Sequence, residues 1–186
     1  MDVNKPVQKG QLLIAMPGLS DPNFLQTVIL LCSYGTEGAL GVILNRPTEI
    51  AVSALIHDFP RLVGMDRLYE GGPVAKNGVL VLCRGEGDGV EGNDIIEEIF
   101  LAKDMASLKR VDAAIPYSDI RYYLGYAGWV PGQLEAEIKS GAWKTALADP
   151  TLVFDIDPFL LWPQMMRRLG PACAFYATMP LNPSMN

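Results

Sequence analysis

The sequence predicts an α+β protein built on a mixed, largely antiparallel β-sheet. Three uninterrupted apolar runs, at 27–33, 39–44 and 78–83, are typical of strands that are buried on both faces. Turn-forming residues at 35–38 connect the first two runs, which indicates a hairpin. Strand and helix patterns do not alternate regularly along the chain, so a doubly wound parallel sheet is disfavoured.

The first half of the chain contains clear start and stop signals. Asp21-Pro22 is typical of a capped helical turn with proline at its first position. Asn45-Arg46-Pro47 ends the strand at 39–44, because proline biases Arg46 toward an extended backbone. The other elements expected in this half are strands at 12–16 and 68–70 and a short helix at 52–59.

Two helices are bracketed by similar signals in the second half. Pro131 near the start and Gly141 just past the end delimit a helix at 131–140. Asp157-Pro158 is typical of the start of a last helix, although Pro163 allows a start near Trp162 instead. The other expectations are an exposed acidic loop at 85–94, strands at 95–102, 121–127 and 152–156, and a helical turn at 105–110.

The composition limits the class of protein. The 186 residues are 49% hydrophobic and 19% charged, which suits one sizeable core and a single domain over 1–186. A small sub-lobe around 50–110 is the alternative division. The net charge of −6 repels phosphate backbones, and the basic pairs Lys109-Arg110 and Arg167-Arg168 are isolated, so we expect no nucleic-acid partner.

The sequence favours a cytoplasmic protein without a membrane segment. Residues 1–9 are polar and are not followed by the apolar stretch of a signal peptide. The longest apolar runs are too short to span a bilayer. Cys32, Cys83 and Cys173 are odd in number and show no CxxC spacing, as expected of reduced thiols in a cytosol.

A catalytic constellation is not evident. His57 is the single histidine, so a Ser-His-Asp or Cys-His site is disfavoured, and so are most zinc sites. Cys32 and Cys83 each close an apolar run, and both suit buried structural positions. A turn begins just after Cys32, so we expect an alkylating reagent to label Cys32 before Cys83.

The sequence contains no motif for a metal ion or a cofactor, and we expect the protein to bind neither a metal ion nor a cofactor. The acidic residues Glu86, Asp88, Glu91 and Asp94 do not match the spacing of an EF-hand loop. Gly71-Gly72-Pro73 lacks the lysine of a phosphate loop, so its glycines are expected to permit a tight bend. The backbone N–H groups at the start of the 131–140 helix remain an alternative anion site.

Several blocks of the sequence are distinctive when taken together. They are GQLLIAMP at 10–17, DPNF at 21–24, TV at 27–28, GALGVILNRP at 38–47, GGPV at 71–74, and GYAGW at 125–129 with QLE at 133–135 and Trp143. These blocks resemble the AlgH/YqgE family and occur in that family's order over most of the chain. The resemblance implies a bacterial cytosolic protein whose bifurcated sheet folds into a pseudo-barrel with flanking helices. One branch of the family is linked to transcriptional regulation of alginate synthesis, and no catalytic residues are established for the family.

Two positions depart from the family pattern. Family members often have an acidic residue and a histidine after the cysteine that corresponds to Cys32, where this chain has Ser33-Tyr34. The strand that often ends in Leu-His ends here in Leu82-Cys83. A mechanism that depends on those histidines cannot operate in this chain.

The resulting hypothesis is a non-enzymatic binding or regulatory protein with an unknown protein or small-molecule partner, acting as a monomer or homodimer. Aromatic residues at 125–129 suit a dimer interface. The alternative is a thiol-dependent or small-anion-binding enzyme with Cys32 as the reactive thiol and Arg46 as the anion clamp. The candidate binding surface, expected on one side of the sheet, comprises Asp21, Asn45, Arg46, Gly71, Gly72, Trp129 and Gln133.

Overall fold

An antiparallel sheet curled into a half-barrel, with helices packed against it, forms the frame of the protein. The computed structural model describes residues 6–52, 67–85, 92–102 and 115–179. The predicted α+β class and the largely antiparallel sheet are confirmed. The strands are β1 (Gln11–Ala15), β2 (Val28–Gly35), β3 (Gly38–Ile43), β4 (Pro47–Ala51), β5 (Arg67–Glu70), β6 (Val74–Arg84), β7 (Gly92–Ile96), β8 (Ile99–Ala102), β9 (Ile120–Trp129) and β10 (Trp143–Leu147).

The sheet forks at β9. Along the main path the order is β10-β1-β2-β3-β9-β6-β8-β7, with every neighbouring pair antiparallel. One edge of β9 pairs with β3 through residues 127–129 and, in parallel, with β5 through residues 122–124. The opposite edge pairs with β6, and β4 extends the branch beyond β5. Among the described strands, β5 and β9 are the single parallel pair, and this pair makes the sheet mixed. The edge of β9 that β3 and β5 share is the predicted bifurcation.

Four α-helices lie on the two faces of this sheet in the described part of the chain. Helix α1 carries the buried residue Leu134 into the apolar layer on the convex face. Helices α2 and α3 pack their buried residues into the concave face. The helices are α1 (Gln133–Lys139), α2 (Pro150–Phe154), α3 (Pro158–Arg168) and α4 (Pro171–Ala174), with 3-10 turns at Pro22–Phe24, Tyr117–Asp119 and Phe175–Thr178.

The core is divided into three apolar layers because the central strands are buried on both sides. The concave layer gathers residues from eight strands together with α2 and α3. Two separate convex layers lie behind it, one under α1 and one behind β6, β8 and β9. Alternation along β2 explains the uninterrupted apolar run: Leu30 faces the concave layer, whereas Ile29 and Leu31 face the convex layer.

Three Asp-Pro pairs begin helical segments. The side chain of Asp21 accepts from the Asn23 N–H, and that of Asp157 accepts from Phe159, as the sequence predicts. Helix α3 starts at Pro158 and continues through Pro163, so the alternative start near Trp162 is wrong. The third pair, Asp149-Pro150, caps α2 in the same way.

That third cap overturns the predicted strand at 152–156. Leu152, Val153 and Phe154 are all buried, which gives a helical turn the apolar run expected of a strand. The predicted strand at 95–102 is likewise two strands, β7 and β8, joined at Glu98, which adopts a positive φ of 65°. Because that turn contains no glycine or proline, the sequence carries no turn signal there.

Other boundaries also differ from the sequence-based expectations. The prediction of an exposed acidic loop at 85–94 is wrong at its C-terminal end, because residues 92–94 belong to strand β7. Helix α1 begins at Gln133, two residues after Pro131, because Gly132 precedes it with a left-handed φ of 81°. Strand β10 and helix α4 were not predicted. The following lie outside the described residues: His57, Glu86, Asp88 and Glu91, most of the predicted helix at 52–59, the turn at 105–110, and the parts 53–66, 86–91 and 103–110 of the sub-lobe at 50–110.

Candidate functional site

An open cleft begins on the part of the concave face that α2 and α3 do not line and continues around the ends of β3 and β9 toward helix α1. It consists of two adjoining cavities, which we call the mouth cavity and the side groove. Ser33 and Leu40 line both of them and therefore form their shared wall. Ligand sites are concave, mostly apolar, and common in the mouths of barrels. The cleft is therefore the first candidate for a functional site.

The mouth cavity, of about 640 Å³, lies where strands from the two ends of the sheet approach each other. Its apolar wall comes from Leu40, Leu80 and Leu101, which belong to β3, β6 and β8. Lys9 and Asp94 stand at the rim, and the Lys9 Nζ donates to the Asp94 main-chain oxygen at 2.5 Å. The cavity thus combines an aliphatic interior with a charged rim.

The side groove, of about 440 Å³, continues from Leu40 along the ends of β3 and β9. Leu40 is the cross-strand partner of Gly128, and the missing side chain of Gly128 gives room to the Tyr126 ring, which would lie 3.3 Å from a Cβ atom there. Its lining also includes Val74 and Tyr126, together with Glu37, Trp129 and Gln133. The groove is more open than the mouth cavity, and its lining is more apolar.

A β-bulge in β2 builds the shared wall. Leu31 pairs with Gly41 but Ser33 pairs with Leu40, so Cys32 is the extra residue. A bulge of this kind redirects the side chains that follow it. As a result both Cys32 and Ser33 line the mouth cavity, although consecutive strand residues normally face opposite sides.

The two strand cysteines are buried thiols. Burial raises the pKa of Cys32 to about 12, and it raises the pKa of Cys83 to about 12 as well. The exposed fractions are 3% and 0%, so neither sulfur is open to a bulky reagent. These observations oppose the expected preferential reactivity of Cys32, because the bulge brings Cys32 to the cavity wall without exposing it.

Gly71 and Gly72 allow one backbone segment to cross directly over another. After β5 the chain passes over β9 to reach its opposite edge as β6. A Cβ atom on Gly71 would collide with the Gly125 oxygen, and one on Gly72 with the backbone at Tyr126. A Cβ on Gly125 would lie 2.6 Å from the Gly72 oxygen. The three glycines therefore hold the fork of the sheet together.

Asp21, Asn45 and Arg46 lie together and organise the turn before β2. Asn45 Oδ1 accepts from the Val28 N–H, and Asn45 Nδ2 donates to the Gln26 oxygen, both at 2.8 Å. Arg46 donates to the Leu25 oxygen at 3.3 Å and lies 3.8 Å from a Glu70 carboxylate oxygen. Asp21 caps the 3-10 turn that follows it. The side-chain groups of these residues are thus engaged with the protein itself.

Trp129 and Gln133 belong to a different cluster, centred on Glu137. The indole nitrogens of Trp129 and Trp143 both donate to Glu137 Oε2, at 2.9 and 2.8 Å. Gln133 Nε2 donates to Glu137 Oε1 at 2.9 Å. One carboxylate thereby fastens α1 to β9 and β10. Sequence reasoning missed Glu137, although the four-residue spacing from Gln133 places the two side chains on one helix face.

The ring of Phe24 connects the two clusters. It stacks on Trp129 with ring centroids 6.4 Å apart and meets Trp143 edge-on at 5.7 Å. Of the seven residues of the predicted surface, only Trp129 and Gln133 line the cleft. Trp129 is buried, with an exposed fraction of 5%, so its ring is committed to the core rather than to a dimer interface.

Two further features bear on the class of site. Within residues 6–52, 67–85, 92–102 and 115–179, no group of three His, Cys, Asp or Glu side chains is placed to hold a metal ion. In those same ranges no helix has the length and apolar character needed to cross a membrane.

Comparison with known proteins places the whole chain in one group of relatives. A family model described as AlgH-like matches residues 12–174. The UPF0301 protein CT0663 of Chlorobaculum tepidum is 38% identical over 97% of this chain and 96% of its own length. A UPF0301 protein of Streptomyces avermitilis is 37% identical over 95% and 94%.

Solved structures agree with this grouping. The crystal structure of protein DIP2367 from Corynebacterium diphtheriae is similar with a TM-score of 0.81 and 26% identity, covering 96% of this chain and 95% of that one. The solution structure of the AlgH protein from Pseudomonas aeruginosa is similar with a TM-score of 0.71 and 30% identity, covering 97% and 98%.

Proposed function

The chain belongs to the AlgH-like family, and we propose that it is a non-catalytic binding protein whose cleft takes a small amphipathic organic molecule. The observation that carries the proposal is the pair of adjoining cavities sharing Ser33 and Leu40. Their volumes fall in the range of ordinary ligand pockets, roughly 300–1,000 Å³.

The chemistry of the lining supports an amphipathic ligand. The leucines of the mouth cavity offer aliphatic surface to an apolar body. Lys9 and Asp94 at one end, and Glu37 and Gln133 at the other, offer polar partners to the ligand's ends. An apolar interior with few polar groups favours binding of such a molecule and fixes its orientation.

A thiol enzyme is the weaker hypothesis for this chain. A thiol with a pKa of about 12 is ionised to roughly one part in 10⁵ at pH 7, which leaves Cys32 without nucleophilic strength. Arg46, its proposed anion clamp, already contacts Leu25 and Glu70. We therefore propose no reaction for the cleft.

The proposal leaves room for a regulatory role. A ligand bound in the mouth cavity would contact five strands of the half-barrel at once. Any effect on transcription would then be indirect, through ligand-dependent contacts with another protein, because the net charge of −6 opposes binding to DNA. A cytoplasmic location and a single domain over 1–186 belong to the same proposal.

Fluorescence of anilinonaphthalene sulfonate tests the proposal. This probe combines an apolar double ring with one sulfonate and brightens in apolar sites. In Ser33→Trp the new indole would fill the shared wall of both cavities, and we expect the probe to bind at least tenfold more weakly. Ser20→Trp places the same side chain at an exposed position outside the cleft and should bind like the unmodified protein.

Two results would contradict the proposal. One is equal probe binding by the unmodified protein, Ser33→Trp and Ser20→Trp, which would place the probe outside the cleft. The other is no fluorescence gain with the unmodified protein. Circular dichroism of each variant verifies that the sheet is intact, and the second tryptophan substitution controls for added fluorescence.

A further inference from the structure

The side groove contains a carboxylate that the described part of the protein leaves without a counter-ion. Of the described residues that line this groove, Glu37 is the only charged one. Its side chain forms no ion pair or hydrogen bond with any residue in the described ranges. The amide of Gln133 is engaged elsewhere, because its Nε2 donates to Glu137 and its Oε1 accepts from the Val130 N–H. The groove therefore presents an unneutralised negative charge.

The hairpin between β2 and β3 fixes the position of this charge. Residues 36 and 37 form the turn, because Gly35 and Gly38 are the last cross-strand pair. Gly38 has a φ of 111°, and a Cβ atom there would collide with the Trp129 oxygen. The tip of the hairpin thus lies directly against the end of β9, which places Glu37 at the groove.

An aromatic ring stands in the same groove. Tyr126 and Gly128 are two positions apart on β9 and therefore face the same side of the sheet. The half-buried Tyr126 ring leans over Gly128, since a Cβ atom on that glycine would lie 3.3 Å from the ring's Cε2 atom. The electron-rich face of an aromatic ring attracts an ammonium ion, as a carboxylate does. Two groups that favour a cation therefore line one small space.

The charges of the whole cleft favour the same sign. Among the described residues that line it, Lys9 is positive, whereas Asp94 and Glu37 are negative. Lys9 and Asp94 share the rim of the mouth cavity, so Glu37 is left as the net charge of the lining. The net charge of −6 on the chain adds a field that attracts cations and repels anions.

We infer that the end of the ligand in the side groove is an ammonium group, held by Glu37 and the ring of Tyr126. This assignment rests on the proposed function and names the class of molecule that the cleft takes, a cationic amphiphile such as an alkylamine. The aliphatic chain of that molecule passes over Leu40 into the mouth cavity, where Leu80 and Leu101 continue the apolar surface.

Three probes with the same octyl chain test the charge of the head group: octylammonium, octanoate and octanol. Amide chemical shifts of the unmodified protein follow each titration. We expect octylammonium to bind at least about fivefold more tightly than the other two probes, because the carboxylate and the ring favour only the cation. The largest shifts with octylammonium should include those of Glu37, Tyr126 and Gly128.

Two pairs of variants assign the effect to the two side chains. Glu37→Gln should weaken octylammonium binding by about three- to tenfold. Glu49→Gln removes the same charge from an exposed position on β4, outside the cleft, and should have no effect. Tyr126→Leu should weaken octylammonium binding by a similar factor, whereas Tyr126→Phe keeps the ring and should bind like the unmodified protein. Octanol carries no charge, so its binding should be unchanged in all four variants.

Equal binding of the three probes, tighter binding of octanoate, or the same affinity for octylammonium in Glu37→Gln and Glu49→Gln would each overturn the assignment. These outcomes leave the proposed function in place, because the cleft would still bind an apolar chain. Anilinonaphthalene sulfonate separates the two claims: its sulfonate can lie near Lys9 at the mouth, so Glu37→Gln should bind it as the unmodified protein does. A cleft that takes neither this probe nor any octyl compound contradicts both claims.

Discussion

Replacing Glu137 with alanine should loosen helix α1 from the sheet more than any other change on that helix's polar face. The carboxylate accepts from the indoles of Trp129 and Trp143, whose residues are 5% and 1% exposed. Removing it leaves two buried N–H groups without an acceptor, at about 1–3 kcal/mol each. We therefore expect a loss of about 2–5 kcal/mol in the free energy of unfolding. For a chain of this size that lowers Tm by roughly 5–15 °C.

Urea unfolding monitored by tryptophan fluorescence measures this loss directly. Glu135→Ala is the matched control, because Glu135 lies on the same helix but is exposed and accepts from the exposed Tyr34 residue rather than from a buried indole. We expect that variant to lose at most about 0.5 kcal/mol, as is usual for surface changes. If Glu137→Ala and Glu135→Ala lose the same free energy, the carboxylate does not fasten α1 and this account of the cluster is wrong.

Three further predictions concern the frame and the thiols. Gly72→Ala should lower the free energy of unfolding by at least about 3 kcal/mol or prevent folding, since the new Cβ atom would collide with the β9 backbone. The control Gly18→Ala adds a Cβ atom in open space and should leave the thermal melting temperature unchanged. Asn45→Ala should lower the free energy of unfolding, measured by urea titration, by about 2 kcal/mol, because it leaves the Val28 N–H of β2 without its acceptor. Alkylation of Cys32 and Cys83 should be equally slow in the native protein and fast in urea; rapid native labelling of either would contradict their burial. Because burial raises both thiol pKa values from 9.0 to about 12, the unfolded chain ionises first, and stability should fall as pH rises from about 9 to about 12.

The sequence predicts those parts of the fold whose signals are local. Apolar runs identified β2 and β3, and the Asp-Pro pairs located two helical starts, because caps depend on neighbouring residues only. Helix α2 was mistaken for a strand because three consecutive residues, Leu152 to Phe154, are buried in the concave layer, so the periodic pattern of a surface helix is lost. The turn at Glu98 was missed because a non-glycine residue adopts the left-handed conformation there.

The candidate site was much less accessible to sequence reasoning. The mouth cavity is lined from five strands, and their register depends on pairings between residues far apart in the chain. Ser33 reaches its wall only through the bulge at Cys32, which no local pattern signals. Glycines were correctly expected to permit a tight bend at Gly71-Gly72, but the strand they cross could not be identified without the sheet order.

Amide chemical-shift mapping with anilinonaphthalene sulfonate tests the central claim most directly, because it locates the probe on the folded chain. If the cleft is the binding site, the largest shifts occur at Ser33, Leu40, Leu80 and Leu101 and saturate together as probe is added. Shifts concentrated instead at the exposed rings of Phe159 and Phe175, with the cleft residues unchanged, would contradict it.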